Sequence, residues 1–264
     1  MRALWTAASG MKAQQLNVDT ISNNLANVNT VSFKKQRVEF KDLFYETLSR
    51  NNMGEGQSRP VNLEIGHGVM PMATLRSFGM GSFEQTNNDL DFAIDGKGFF
   101  MVRDANDNMF YTRDGSFKLG MGEGGETMLV TADGYFVQSD GGDIDLGEGI
   151  QEISVNENGM MFIKRDGEEE VEELAQLTLV RFANTAGLEA VGKNMYIESA
   201  ASGEAMEAFE GDGGKVMQGF LESSNVQVVE EMVKLITAQR AYEINSKSIQ
   251  TADQMLEQAN NLKR

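Results

Sequence analysis

Few residues in this sequence have the types and spacing that catalysis needs. The chain contains a single histidine, His67, and no cysteine. A hydrolytic triad needs a placed imidazole and a thiolate metal site needs cysteine, so both kinds of site lack their parts. Aspartate and glutamate are abundant, but no local motif marks the carboxylate pair of a glycosidase. We therefore predict that the chain is not an enzyme and uses no cofactor or metal ion; a two-carboxylate glycosidase is the residual enzyme hypothesis.

Three short motifs have the composition of binding loops. Gly120–Gly125 has the glycine spacing of a dinucleotide fingerprint, but no predicted strand precedes it and no helix follows, which predicts a hairpin loop. Asp104–Asn108 resembles the start of a calcium loop, but Gly115 occupies the position of the required glutamate. One Gly-rich loop carries four carboxylates that could surround a cation: Asp140, Asp143, Asp145 and Glu148. Such charge runs are usually solvated.

Charge is unevenly distributed along the 264 residues. Residues 121–222 contain 22 acidic and 5 basic side chains, so the net charge of −17 falls entirely within this segment. The neutral ends can pack against copies of themselves without long-range repulsion, whereas the acidic middle stays hydrated. We predict buried ends and an exposed middle, with no nucleic acid among the partners.

The N-terminal residues 3–28 have the pattern of an amphipathic helix. Apolar side chains recur every seven residues along a narrow seam: Leu4, Met11, Val18 and Leu25. Trp5 and Leu16 fall on another face, which suits a helix with more than one neighbour. An ordinary surface helix remains the alternative.

The C-terminal residues from Val226 to Leu262 predict one long helix, because this segment contains no glycine or proline. Its apolar residues form two stripes on opposite sides. We call one of them the outer stripe: Val229, Val233, Ile236, Ile244, Met255 and Leu262. We call the other the inner stripe: Val228, Leu235, Tyr242, Ile249 and Leu256. A helix that is apolar on two sides needs two neighbours. We expect the outer stripe to contact the N-terminal helix and the inner stripe to contact another subunit.

Between the two ends, the sequence alternates short β-rich runs with turn clusters. The clearest runs cover residues 92–94, 99–102, 128–130 and 177–180. Asp-Gly pairs at 95–96, 114–115 and 133–134 have the chemistry of tight hairpin turns. The predicted fold is α+β, with N- and C-terminal helices paired as a coiled coil and a central antiparallel all-β domain. The predicted domains are a helical assembly domain (1–43 and 220–264), an extended connector (44–67 and 201–219) and a β-rich outer domain (68–200).

Two polar motifs lie on the predicted helices. Residues 22–30 include four asparagines, which serve either as a capping run or as amides that bond to a partner chain. In residues 239–245, Arg240 with Glu243 and Glu243 with Lys247 have the spacing of helix-surface ion pairs. A solvated face does not explain Tyr242, since its ring lies on the inner stripe.

At these motifs the sequence resembles the flagellar axial-protein family of rod and hook subunits. The signature Asn23–Asn27 is followed by Thr30 and Phe33-Lys34. Residues 239–247 and 251–256 are similar to the rod members that form its distal part. Residues 95–100 and 111–117 also match, whereas the acidic, Gly-rich residues 119–175 depart from the family pattern.

The resemblance implies a structural subunit of the distal flagellar rod, a self-assembling helical tube that serves as the drive shaft of motility. It implies a periplasmic location in the basal body, type III export without a cleaved signal peptide, and no direct membrane insertion. The expected partners are further copies of the chain and the proximal rod, hook and ring or bushing proteins. In that family the terminal helices form the inner wall, and a segment corresponding to 44–63 distinguishes rod from hook subunits.

A hook or proximal rod subunit is the nearest alternative function, and an acidic β-rich binding module oligomerised by its helices is another. We expect both ends to be largely disordered in the monomer and to fold on incorporation, because isolated helices are marginal in water. The predicted assembly residues are Leu4, Met11, Val18, Asn23, Asn24, Leu25, Asn27, Leu235, Gln239, Arg240, Tyr242, Glu243, Asn245, Ile249 and Leu256.

Overall fold

Two long helices and many antiparallel strands make up the structure, a computed structural model that describes residues 2–49, 63–122, 125–147, 149–166, 171–208 and 214–262. The chain divides into two compact units. The helical unit comprises Met1–Ala26, Gln36–Arg76 and Gln227–Arg264. The β unit comprises Asn27–Lys35 and Ser77–Val226. Each unit is built from segments that are distant in the sequence.

In its described residues, the helical unit contains both helices and four strands. Its elements are α1 (Arg2–Ala26), β1 (Gln36–Asp42), β2 (Tyr45–Ser49), β3 (Leu63–Gly66), β4 (Val69–Arg76) and α2 (Val228–Asn261). At 1.5 Å per residue, the 34 residues of α2 span roughly 51 Å. Glu230 and Glu231 lie in its first turn, where carboxylates favour the positive end of the helix dipole. α1 ends at a turn in which the Thr30 amide donates to the Asn27 carbonyl.

The four strands of the helical unit form two antiparallel ribbons. β1 pairs with β4 from Gln36 opposite Arg76 to Asp42 opposite Val69, with an irregularity between Glu39 and Phe40. β2 pairs with β3, beginning with Tyr45 opposite Gly66. α1 packs on β1 and β4 as well as on α2, so the two-neighbour expectation for the N-terminal helix is confirmed. Residues 50–62, within the segment expected to distinguish rod from hook subunits, lie outside the described residues.

The described part of the β unit consists of short strands and one turn of 3₁₀ helix, Thr185–Gly187. Its strands are β5 (Phe83–Gln85), β6 (Phe92–Asp95), β7 (Phe99–Arg103), β8 (Met109–Thr112), β9 (Phe117–Met121), β10 (Thr127–Thr131), β11 (Phe136–Ser139), β12 (Gly142–Asp143), β13 (Ile150–Val155), β14 (Met160–Arg165), β15 (Glu172–Gln176), β16 (Leu179–Arg181), β17 (Glu189–Gly192), β18 (Met195–Ile197), β19 (Met206–Glu207), β20 (Lys215–Gln218) and β21 (Phe220–Glu222).

Most of these strands join one antiparallel sheet. Within the described residues, the order β17-β18-β8-β7-β11-β10-β9 forms its backbone, with β12 beside β11 and β16 joining β7 to β19. β13, β14 and β15 form a second sheet, and the pairs β20-β6 and β21-β5 bring the last strands of the unit back to its first ones. Phe92, Phe100, Phe117, Leu129 and Leu177 are almost fully buried in the main core. The predicted α+β class with a large antiparallel β domain is therefore confirmed.

Of the three Asp-Gly pairs that predicted hairpin turns, only one lies in a hairpin. Asp133-Gly134 joins β10 to β11, and Gly134 has a φ of 85°, as such turns require. The hairpins predicted at Asp95-Gly96 and Asp114-Gly115 are wrong, since β6 pairs with β20, and β8 pairs with β7 and β18. A Cβ atom on Gly115 would lie 1.9 Å from the Phe92 carbonyl oxygen, so glycine there permits a close backbone approach instead of a tight turn.

In the described part of the chain, neither helix is long and apolar enough to span a membrane. The division into assembly domain, connector and outer domain remains a prediction.

Candidate functional site

The two helices pack side by side in opposite directions. Gly10 of α1 lies against Asn245 of α2, and Asn24 near the end of α1 meets Glu231 near the start of α2. A Cβ atom on Gly10 would lie 2.9 Å from Asn245 Nδ2, so the glycine lets the helices approach closely. Because α2 is the longer helix, this register carries its last turns beyond the start of α1.

The packing assigns the stripes of α2 the other way round from the sequence prediction. Most residues of α2 that are buried or half-buried lie on the side of the inner stripe: Glu231, Leu235, Ala238, Asn245, Ile249 and Ala252. On the opposite side, Val233, Ile236 and Ile244 are 56%, 51% and 64% exposed. The inner stripe therefore faces α1, and the outer stripe is open.

The reason for this reversal lies in side-chain size. Ala238, Asn245 and Ala252 stand between the larger residues of the inner stripe and allow α1 to approach. The bulky outer stripe has no such small residues. Tyr242 and Leu256 remain 41% and 45% exposed at the edge of the contact.

The predicted seam of α1 is only half-buried. Leu4, Met11, Val18 and Leu25 are half-buried, whereas the positions closed to water are Ala7, Ala13, Ile21 and Asn24. α1 is held between α2 and the β1–β4 ribbon, so its most buried residues face both neighbours. A strict seven-residue repeat could not identify them.

Asn24 is the central polar contact of the helical unit. Its Nδ2 donates to the Gln36 carbonyl at 2.8 Å and to Glu231 Oε2 at 3.1 Å, and its Oδ1 accepts the Gln36 amide at 2.9 Å. The side-chain amide thus pairs with the first residue of β1 as a neighbouring strand would. Lys234 Nζ completes the cluster at 2.9 Å from Glu231 Oε1.

The other asparagines of this segment have different environments. Asn27 Oδ1 accepts the Thr30 hydroxyl at 3.2 Å within the turn after α1. Asn23 is exposed, and both residues make further polar contacts. The capping interpretation therefore fits Asn27, whereas Asn24 bonds within its own chain.

The 239–245 motif lies along the exposed flank of α2. Gln239, Arg240 and Glu243 are exposed, and Asn245 is half-buried against Gly10. The described ion pairs of α2 join Lys234 to Glu230 and Glu231, and none joins Glu243 to Arg240 or Lys247. The predicted surface ion pairs are thus not formed in this structure.

A buried ionic cluster in the β unit was not anticipated from the sequence. Lys34 Nζ donates to Glu222 Oε1 at 2.5 Å, and Arg113 Nε donates to Glu222 Oε2 at 2.8 Å. The side chain of Lys34 is 0% exposed, that of Glu222 is 1% exposed and that of Arg113 is 3% exposed. We call these residues the ionic triad. Lys34 and Glu222 stand close to the two points where the chain leaves the β unit.

Backbone groups surround the ionic triad. Arg113 donates to the carbonyls of Ile94, Gly96 and Gly98, and the Gly81 amide donates to Glu222 Oε1 at 2.8 Å. Ser32 adopts a φ of 55°, where its amide donates to the Glu222 carbonyl and its hydroxyl to the Arg113 carbonyl. Such a φ is unfavourable for serine, so these bonds hold it in place.

Burial and charge act in opposite directions within the triad. Burial, together with the Arg113 charge, lowers the pKa of Lys34 from 10.5 to about 8, although Glu222 opposes the shift. Burial raises the pKa of Glu222, but the charges of Arg113 and Lys34 outweigh it and hold that pKa below its ordinary value. Glu222 is therefore ionised at neutral pH.

The loop motifs considered in the sequence are turns and strand ends. Gly120–Gly125 lies in the β9–β10 hairpin connection, of which residues 123 and 124 are outside the described part, and Asp104–Asn108 joins β7 to β8. In the acidic loop, Asp143 bonds to Arg103 and Gln138, and Glu148 is outside the described residues. Among the described residues no group of three or more histidine, cysteine, aspartate or glutamate side chains is arranged to hold a metal ion.

Comparison with known families places these elements in context. Residues 4–34 match the model described as Flagella basal body rod protein. Residues 93–163 match the Flagellar hook protein FlgE/F/G D1 domain, and residues 217–262 match the Flagellar basal body rod FlgEFG protein C-terminal. The matched ranges include both helices' packing residues and part of the β unit.

Similar proteins extend over the whole chain. The flagellar basal-body rod protein FlgG of Borreliella burgdorferi is 49% identical, covering 100% of this chain and 99% of that protein. Its namesake from Caulobacter vibrioides is 42% identical with complete coverage of both. The flagellar hook-basal body complex protein FlhP of Bacillus subtilis is 31% identical over 97% of each. These matches confirm the resemblance read from the sequence motifs, and the chain belongs to the flagellar basal-body rod protein family.

Proposed function

We propose that this chain is a structural subunit of the distal flagellar rod and that its copies assemble into a helical tube acting as a drive shaft. The observation that carries the proposal is the open outer stripe of α2. Val233, Ile236 and Ile244 are more than half exposed on the side opposite α1. Burying one such side chain contributes roughly 1.5–3 kcal/mol, so a second helix laid along this stripe would stabilise the contact.

The pairing of α1 and α2 as a coiled coil is part of this proposal. Positions 231, 235, 238, 242, 245, 249, 252 and 256 repeat at alternating spacings of four and three, as coiled-coil seams do. This pair is the assembling element, with its polar seam positions filled by Glu231 and Asn245. A polar seam position sets register at some cost in stability, which suits a helix pair completed by neighbouring subunits.

The same proposal assigns roles to the remaining segments. Residues 1–43 and 220–264 carry assembly, 44–67 and 201–219 form the connector, and 68–200 form the outer β domain. Exposed Gln239, Arg240 and Glu243 flank the outer stripe and are proposed to bond to neighbouring copies. Asn24 is proposed to act indirectly, by fixing the helix pair that the neighbour meets.

The proposed setting follows that of the relatives, which are named as basal-body rod proteins. We expect a periplasmic location in the basal body, type III export without a cleaved signal peptide, and contacts with proximal rod, hook and ring or bushing proteins. Both chain ends are expected to gain order on incorporation.

Charge substitutions on the two stripes of α2 test the proposal. Val233→Asp and Ile244→Asp place a carboxylate on the outer stripe and should abolish polymerisation, while the circular dichroism of the dilute chain stays that of wild type. Leu235→Asp places the same charge against α1 and should also abolish polymerisation, because it weakens the helix pair itself. Gln250→Asp is the control, since it adds the charge at an exposed polar position of the same helix. Polymers are scored by sedimentation and electron microscopy.

Normal filaments from Val233→Asp and Ile244→Asp would contradict the proposed interface. Hydrogen exchange of the dilute chain and of the filaments adds a second readout. Protection that spreads to residues 2–26 and 228–261 only in filaments supports assembly coupled to folding. A small closed oligomer with protected ends would favour the binding-module alternative.

A further inference from the structure

A cavity of about 630 Å³ opens in the β unit beside β7 and β16. Phe99 and Phe182 form its buried floor, and Phe78 and Met206 line its walls. The rings of Phe78 and Phe182 pack edge-on against Phe99, with centroids 5.4 and 5.7 Å away. Rings fixed in this way offer a rigid apolar surface.

The charged side chains that line this cavity are all cations. They are Lys97, Arg113 and Arg181, and none of the described lining residues is acidic. Arg113 already bonds to Glu222 and to backbone carbonyls. Lys97 is exposed at the rim. Arg181 Nε is closed to water and has no acceptor in the described part of the chain.

An orphaned guanidinium donor beside an apolar floor defines a ligand chemistry. A carboxylate is the acceptor that guanidinium binds best; because Arg181 Nε is closed to water in this conformation, the Arg181 side chain must turn for an entering carboxylate to reach that donor. The floor, in turn, favours an aliphatic or aromatic group next to that carboxylate. The cavity is therefore suited to an apolar residue followed closely by an acidic one.

The same chain exposes such a segment at the start of β15. Val171 is 58% exposed, and Glu172 and Glu173 are also exposed. Val171 and Glu173 point to the same face of an extended strand, about 7 Å apart. β15 is also an end strand of its three-stranded sheet, so one of its sides faces no other strand of that sheet.

We propose that the cavity of one subunit binds the Val171–Glu173 segment of a second copy, with Val171 against the phenyl rings and Glu173 against Arg181 and Lys97. The contact rests on the polymer proposed above, because a helical array requires two different surfaces of each subunit to meet. The acidic middle of the chain repels its copies generally, and the cationic cavity supplies one local exception.

A peptide titration of the full-length dilute chain tests the contact without polymerisation. The probe is a synthetic hexapeptide with the sequence of residues 171–176, and the signal is the methyl NMR resonance of Met206. The control peptide carries glutamine in place of both glutamates. We expect saturable shifts with the acidic peptide, about tenfold weaker binding in Lys97→Gln and Arg181→Gln, and unchanged binding in Lys118→Gln, an exposed lysine outside the cavity. Equal binding by both peptides, or no Met206 shift, would overturn the proposal.

A charge exchange tests the same contact in filaments. Lys97→Glu and Glu173→Lys should each shorten the filaments, and the double variant should recover length because the charges again attract. A double variant no better than either single one would refute the pairing. Val233→Asp separates the two proposals, since it should prevent polymerisation yet still bind the peptide. Peptide binding lost in that variant would mean that the cavity contact does not stand by itself, and would overturn it.

Discussion

Glu222 and Lys34 should respond very differently to mutation, although they are partners in one buried cluster. The ionic triad contains two cations and one carboxylate, all nearly closed to water. Its net charge is therefore positive. Glu222→Gln would leave two buried cations without their counter-ion, whereas Lys34→Met would leave a neutral Arg113–Glu222 pair.

The expected magnitudes follow from this imbalance. Removing the sole carboxylate should lower the free energy of unfolding by about 3–5 kcal/mol, as observed for buried ion pairs that lose one partner. Lys34→Met loses two hydrogen bonds, but the Gly79 carbonyl keeps the Asn225 amide and Glu222 Oε1 keeps the Gly81 amide. It also removes a cation whose pKa falls from 10.5 to about 8, a penalty of roughly 3 kcal/mol at neutral pH. The two effects should nearly cancel, leaving Lys34→Met within about 2 kcal/mol of wild type.

The pH dependence gives the sharper test. Above about pH 8 the folded chain releases the Lys34 proton, while the unfolded chain holds it up to its ordinary value of 10.5. The unfolded state then binds more protons, so the free energy of unfolding rises with pH in this window by up to about 1.4 kcal/mol per unit. Lys34→Met lacks this contribution. The difference between wild type and Lys34→Met should therefore grow in favour of wild type between pH 8 and 10.5.

Urea unfolding of the dilute chain at several pH values, followed by the circular dichroism of the β unit, provides the measurement. Subtracting Lys34→Met cancels the other titrating groups. A difference that is flat or falls with pH would refute the reasoning, because it would mean that the bonds to Glu222 outweigh burial and keep the lysine charged. Glu222→Gln as stable as Lys34→Met would refute the charge imbalance.

Three further changes test other contacts. Asn24→Ala should destabilise the helical unit by about 2–4 kcal/mol, because it removes hydrogen-bond partners from Gln36 and Glu231. Hydrogen exchange of the Gln36 amide measures this loss of stability. Asn29→Ala, a substitution at an exposed site, is the control. The β unit of Gly115→Ala should unfold at a lower urea concentration than that of Gly79→Ala. A Cβ atom at position 115 would lie 1.9 Å from the Phe92 carbonyl oxygen, whereas one at position 79 meets only Ser77 Oγ at 3.9 Å. Equal urea midpoints for the two variants would contradict the close approach at Gly115. Acid should destabilise wild type more than Glu222→Gln. The lowered pKa of Glu222 contributes stability above about pH 4.5, and this stability is lost as the pH falls through the pKa of Glu222 in the folded chain. Parallel curves of stability against pH for the two proteins would exclude this contribution of Glu222.

The sequence predicted the elements better than their partners. The helix of residues 3–28 corresponds to Arg2–Ala26, and that of Val226 to Leu262 corresponds to Val228–Asn261. Helices are defined by local signals, here a run without glycine or proline and a set of turn residues at its end. The direction in which α2 faces depended instead on Ala238 and Ala252, whose small size matters only once a second helix is present.

The ionic triad lay beyond sequence reasoning for a different reason. Lys34 and Glu222 are 188 residues apart, and each belongs to a residue type that is normally exposed. Lys34 lies in a matched family motif, but that match does not indicate burial, and nothing local distinguishes Glu222 from a surface charge. Asn24 was identified as a candidate, but whether its amide bonded to another chain or to Gln36 could be decided only from the register of β1 beside α1.

The composition of the helix seam explains why an open outer stripe is useful. Glu231, Ala238, Asn245 and Ala252 bury little apolar surface against α1, so the pair alone gains modest stability from its contact. Val233, Ile236 and Ile244 lie on the outer stripe, where one chain cannot bury them. Further stabilising apolar surface is therefore buried only when another subunit covers Val233, Ile236 and Ile244. Leaving the outer stripe uncovered in the single chain favours addition of a subunit to an existing polymer over association of two monomers. The tip of a polymer already presents an ordered helix face, whereas two monomers must each order their own chain ends first.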